Sequence, residues 1–255
     1  MSVPIFDVPI VNAKNSQLAK FHPNSTSTKH LQYDANMLFS ILFSELHDPE
    51  ESVVEQDITE HIKELPFSIA DKWAITRVIH TTGILEDFNH YSATPNAIEN
   101  WHSHLKTGGE IVTDVTMVKA GITKAFLKEY GNQIHCLLND EDAQLLAKSA
   151  NITRSQAGIR KAIEKHPNAL YVVGNAPTAL FEIIEQLREN DSFKPIGIVG
   201  VPVGFVNVLE AKEQLSQITN TDWVIIEGNR GGSNVAAAIV NAAFTLPEAS
   251  NYFKS

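Results

Sequence analysis

Ala169-Leu170-Tyr171-Val172-Val173-Gly174-Asn175-Ala176-Pro177-Thr178-Ala179-Leu180-Phe181 changes its period halfway along. The run 169–173 is short, apolar and ends in β-branched residues, as a strand buried on both faces requires. Gly174 ends it. Pro177 then suits the first turn of a helix, where its missing N–H leaves no bond unmade, and apolar spacing carries the helix to Arg188. The alternation recurs downstream, with a strand within Pro195–Val203, a helix over Glu210–Gln217, a strand at Trp223–Glu227 and a helix over Ser233–Phe244. Upstream, Ala70–Ile79 carries Trp73, Ala74 and Val78 at helical spacing, which puts His80 near a helix end. Ala97–Leu105 predicts a helix stopped by Gly108-Gly109, and Glu110–Asp114 a short buried strand. Short buried strands separated by helices predict an α/β fold: a Rossmann-like, doubly wound, mainly parallel sheet with helices on both faces.

Residues 1–50 read differently. Asn24–Thr28 is polar, Met37–Phe43 is an apolar stretch that fits a helix or a strand, and His47–Glu51 is acidic and contains Pro49. We take 1–50 as an N-terminal extension and 51–255 as the main α/β domain. Across 255 residues the chain is 43% hydrophobic and 20% charged, as a globular domain of this size should be. The net charge of −10 comes with no cluster of Lys and Arg, which argues against a nucleic-acid partner. A single cysteine, Cys136, excludes an internal disulfide and fits a reducing compartment. Its setting, Ile134–Leu138, reads as a buried strand with the thiol as a small core group. The chain shows no signal-peptide pattern and no apolar run near the roughly 20 residues that span a bilayer. A soluble, cytoplasmic protein without membrane partners is the expectation.

Ligands of open parallel sheets bind beyond the carboxyl ends of the strands. Three glycine-containing loops fall there: Gly174–Phe181, Gly200–Phe205 and Gly228–Asn234. Free amides at the first would favour an anion, Ser233 would be a natural N-cap, and Arg230 could meet a carboxylate. Each loop taken alone also reads as a tight strand-to-helix turn. None contains G-x-G-x-x-G or G-x-x-x-x-G-K-[ST], so nucleotide binding has no motif behind it.

Arg77-Val78-Ile79-His80-Thr81-Thr82 resembles the region of the catalytic histidine in precorrin-8X and cobalt-precorrin-8 methylmutases. The likeness continues through Thr113–Val118, Ala120-Gly121-Ile122, Ile152–Ser155, Gly174–Phe181, Pro202–Val206, Glu210–Glu213 and Gly231–Asn234, in the family's order. The resemblance implies an isomerase of cobalamin biosynthesis. Such an enzyme shifts a methyl group from C-11 to C-12 of precorrin-8, giving hydrogenobyrinate, or of cobalt-precorrin-8, giving cobyrinate. It also implies a Rossmann-like fold, no organic cofactor, and a homodimer with the site near the subunit interface. A histidine suits the work, because a pKa of about 6.5 lets it give and take a proton at neutral pH. The resemblance assigns that role to His80, which by spacing alone would read as a core or capping residue.

The macrocycle's carboxylates would meet Arg154, for which a surface ion pair is the alternative, and the loop residues Gly174, Asn175, Ala176, Thr178, Gly204, Gly231, Gly232 and Ser233. Asp114 is either an N-cap or a site residue. The family's substrate-contacting serine precedes the histidine helix in an I-E-x-x-S-F pattern that this chain lacks, and Ser52 is the nearest candidate. No metal site follows from spacing: His102 and His104 are two apart and point to different helix faces, which reads as solvated, and His22, His30, His47 and His61 lack partners at ligand spacing. Cobalt, if present, arrives in the substrate. A non-catalytic tetrapyrrole carrier on the same scaffold and a nucleotide-dependent Rossmann enzyme are the rival readings.

Overall fold

The structure, a computed structural model, describes residues 59–254. Ser52 and the extension 1–50 lie outside them. One sheet runs β1 (Tyr91–Ala93), β6 (Trp223–Ile226), β5 (Gly197–Gly200), β4 (Leu170–Val173), β2 (Ile111–Thr113), β3 (Ile134–His135) from edge to edge. β2 to β6 are parallel, with Leu170 beside Ile111 and Gly197. β1 is antiparallel, with Tyr91 opposite Ile226. From residue 69 onward the α-helices are α1 (Ile69–Thr82), α2 (Ala97–Lys106), α3 (Thr116–Gly121), α4 (Lys124–Tyr130), α5 (Glu141–Ala150), α6 (Arg154–Lys165), α7 (Pro177–Glu189), α8 (Val208–Ser216), α9 (Ser233–Phe244) and α10 (Leu246–Tyr252).

Period-two alternation in the strands builds two cores. Leu170, Val172, Val199, Val224 and Ile226 face α1, α2 and α9. Tyr171, Val173, Ile198 and Ile225 face α6, α7 and α8. Each fully buried Leu, Ile or Val contributes about 1.5–3 kcal/mol over an exposed one, so neither face of β4, β5 or β6 tolerates a polar residue. The doubly wound α/β architecture read from the sequence is present.

α1 begins at Ser68, whose hydroxyl accepts the Asp71 amide at 3.0 Å, while Asp71 accepts the Ser68 hydroxyl and the Tyr91 phenol, both at 2.8 Å. It ends at Gly83 in the left-handed conformation. Near its start, Trp73 Nε1 donates to Thr245 Oγ1 at the end of α9 (3.0 Å). Past its end, Asp87 pairs with Arg230, just ahead of α9. The two helices therefore run antiparallel. The end of α1 that bears His80 lies with the start of α9, at the carboxyl end of β6.

Two expectations change. Only Ile134 and His135 of the 134–138 run pair with β2, at the sheet's edge, so Cys136 is half-buried and not a core residue. Ser233 is the first residue of α9 and not its cap; Gly232 holds the cap position with no side-chain bond.

Candidate active site

The chain crosses from β2 outward to β3 but from β4 the opposite way to β5, so the winding reverses between β2 and β4. Doubly wound folds open their ligand crevice at such a point. Asp114 leaves β2 there, and Gly174 leaves β4. The Asp114 carboxylate accepts the amides of Gly174 (3.1 Å), Asn175 (2.9 Å) and Ala176 (2.8 Å). Only 2% of Asp114 is exposed. Burial raises its pKa, and the amide donors pull the other way. The turn is an anion site, as the sequence suggested, but the anion it holds is the chain's own: those three amides are directed at Asp114. Asp114 is thus neither an N-cap nor an open ligand. We expect Asp114→Asn to lower stability by about 1–3 kcal/mol, because its new NH₂ would face the Gly174 N–H. Equilibrium denaturation would measure it.

Gly174 has no room for a side chain. A Cβ there would lie 2.7 Å from Val118 Cγ2 and 2.9 Å from Ser233 Cα, since α3 and α9 close on it. Asn175 is exposed, and the half-buried Thr178 shares a hydrogen bond with Thr153 Oγ1 at 2.8 Å. Thr153 caps α6 by accepting the Gln156 amide, which brings Arg154 to the same edge. Arg154 is exposed and donates to the Leu138 carbonyl (3.4 Å) and to Asn139 Oδ1, with no acidic partner among these contacts.

The loop after β6 folds back on the exit of β5. The Gly232 amide donates to the Val201 carbonyl (2.9 Å), and a Cβ on Gly231, at φ +138°, would lie 2.3 Å from that oxygen. Lys212, 2% exposed, donates to the carbonyls of Gly228 (2.8 Å) and Arg230 (2.5 Å). Burial lowers its pKa to about 8, so at neutral pH it is still mostly the ammonium that pins this loop. Arg230 finds its carboxylate inside the chain, at Asp87. The loop after β5 turns at Gly204 and presents Val203, Val206 and Phe205, the last 91% exposed. Met117, on α3 just after β2, is exposed as well.

His80 sits half-buried in the last turn of α1. One edge of the sheet thus carries His80, Asp114, Gly174–Thr178, Arg154, Gly204 and Gly231–Ser233. His102 and His104 are half-buried and bonded to the chain, where the sequence reading had them simply solvated. His102 Nδ1 bonds the Ala243 carbonyl (2.7 Å) and His104 Nε2 the Glu110 carbonyl (3.4 Å), because α2 is packed on both sides. At the opposite edge, an open groove of about 670 Å³ is lined by Thr94, His104, Lys194 and Asp222, among others. Its carboxylate is taken by Thr94 and Asn100, and it lies at the amino ends of β5 and β6, so we do not assign the site to it.

This arrangement has close relatives. The chain is 34% identical over 191 residues to the cobalt-precorrin-8 methylmutase of Priestia megaterium, covering 75% of this chain and 84% of the relative. To that of Salmonella typhimurium it is 41% identical over 169 residues, covering 66% and 78%. Among solved structures, the precorrin-8X methylmutase of Thermus thermophilus superposes with a TM-score of 0.67 at 30% identity, over 78% of this chain and 97% of that one. The model of the precorrin-8X methylmutase family matches residues 51–246, and the chain belongs to that family.

Proposed function

We propose that this enzyme moves a methyl group from C-11 to C-12 of precorrin-8 or cobalt-precorrin-8, with His80 handling the proton. The bond from C-11 to the methyl breaks as the bond from C-12 forms, the ring π electrons redistribute, and no atom enters or leaves. Protonation of a ring nitrogen draws electron density from the migrating centre, and the proton returns once the methyl has moved. The observation that carries the reading is the antiparallel packing of α1 on α9, which sets His80 at the same sheet edge as Asp114 and the three glycine-containing loops.

Two further features support it. Phe205, Val206, Val203 and Met117 expose apolar surface around that edge, as a large flat ring would need. Arg154 stands there exposed and close to Thr178, suited to a peripheral carboxylate. We expect Arg154→Ala to weaken substrate binding by about 1.5–3 kcal/mol with kcat nearly unchanged. An unaltered dissociation constant would place Arg154 outside the pocket.

Incubating the purified protein with precorrin-8 and with cobalt-precorrin-8, and following the absorbance change of ring rearrangement, tests the proposal. Binding without conversion would favour the carrier reading, which the relatives' names do not support. Which of the two substrates is faster decides whether cobalt is native to the reaction. The family match starting at residue 51 supports taking 51–255 as the catalytic domain. Among the described residues no helix is long and apolar enough to cross a membrane; we place the enzyme in the cytoplasm as a homodimer, which sedimentation would check.

A further inference from the structure

Glu110, His135 and His166 are distant in sequence and meet on the sheet face covered by α6 and α7. Glu110 precedes β2, His135 closes β3, and His166 follows α6 on the way into β4. The cluster therefore lies toward the amino ends of β2 and β4, across the sheet from the edge that holds His80. One oxygen joins all three: Glu110 Oε1 is 3.3 Å from His135 Nε2 and 3.0 Å from His166 Nδ1. The three donor atoms fall within 4.8 Å of one another. The imidazoles stack, with centroids 3.8 Å apart and planes at 16°.

We propose that Glu110, His135 and His166 form a binding site for a divalent transition metal of the zinc class, leaving one coordination position to water. Bonds of about 2.0–2.1 Å around a tetrahedral ion set neighbouring donors about 3.3 Å apart, so both N···O separations already match edges of such a tetrahedron. Two imidazoles and a carboxylate are donors that zinc accepts, and cobalt, nickel and copper follow. The backbones are held. The His166 amide donates to Ala162 and its carbonyl accepts the Tyr171 phenol (3.0 Å), while the His135 carbonyl accepts the Thr113 hydroxyl (3.3 Å). The side chains can still adjust, being 23% and 16% exposed. Stacked rings aim their lone pairs side by side, so coordination requires one ring to turn about its χ2 toward the other's axis.

A bound ion would clip β2, β3 and the connection into β4 at the sheet's edge, and would stabilise the fold without entering the reaction. The full-length protein, stripped with a chelator, is titrated with Co²⁺ and Zn²⁺. The expected result is one equivalent bound, with the strong visible absorption of tetrahedral Co²⁺ and a raised Tm. Affinity should fall at least about 100-fold in His135→Asn and in His166→Gln, with circular dichroism unchanged, and a His90→Asn control should bind as wild type. No saturable binding, or binding that both variants leave intact, overturns the proposal. If a variant fails to fold, ring resonances of His135 and His166 in the wild type decide: shifts on adding Zn²⁺ support the site, and their absence removes it.

Discussion

Replacing His80 with asparagine is expected to lower kcat by about 10²–10⁴-fold while the macrocycle still binds. Asparagine keeps roughly the shape and a hydrogen-bonding tip but cannot carry a proton near neutral pH. Position 80 lies in the last turn of α1, beyond the buried residues Trp73, Ala74, Ile75, Val78 and Ile79 that seat the helix on α9 and α10. The substitution should therefore leave the fold intact, and a matched Tm would show that it has. Single-turnover absorbance with saturating precorrin-8 separates chemistry from binding. Undiminished turnover would remove His80 from the mechanism.

The second large effect concerns stability. Glu182 on α7 is fully buried and accepts two bonds from Arg160 on α6, both 2.7 Å, with Gln156 at 3.1 Å and Gln186 at 3.2 Å. Arg160 keeps 32% of its side chain exposed. Arg160→Met strands a buried carboxylate on two neutral amides and should cost about 3–5 kcal/mol. Glu182→Met leaves an arginine that can swing into water, so its cost should be smaller, and the double variant should return most of the loss. Urea denaturation with unchanged m-values would measure all three. If Glu182→Met proves the costlier change, burial is not what sets the energetics of this pair.

The elements that the sequence revealed are those with a full apolar face. α9, with its unbroken small and branched residues, matches the expected Ser233–Phe244 to the residue, and β4 with α7 follows closely. α5 and α6 escaped notice because their apolar positions are few and spaced among Arg, Lys, Gln and Glu. β1 has only three residues, too few for a period to show, and its antiparallel pairing depends on Ile226 more than a hundred residues away. At the site, glycine turns and His80 could be read from local pattern and resemblance. The bond from Asp114 to the turn after β4 spans about 60 residues and carries no local mark. Histidines misled in both directions. His102 and His104 are fastened to carbonyls of other elements, and the Glu110, His135 and His166 group assembles only when β2, β3 and β4 are side by side.

Asp114 also has a consequence for what this scaffold can recognise. Elsewhere in doubly wound proteins the amides at the winding reversal cradle a pyrophosphate. Here a resident carboxylate fills that cradle, so a nucleotide would have to evict a covalently tethered competitor present at very high effective concentration, and would meet its negative charge on the way in. The scaffold has in this way closed its phosphate berth from within, and the surrounding rim is left to select for a large ring instead of a phosphoanhydride.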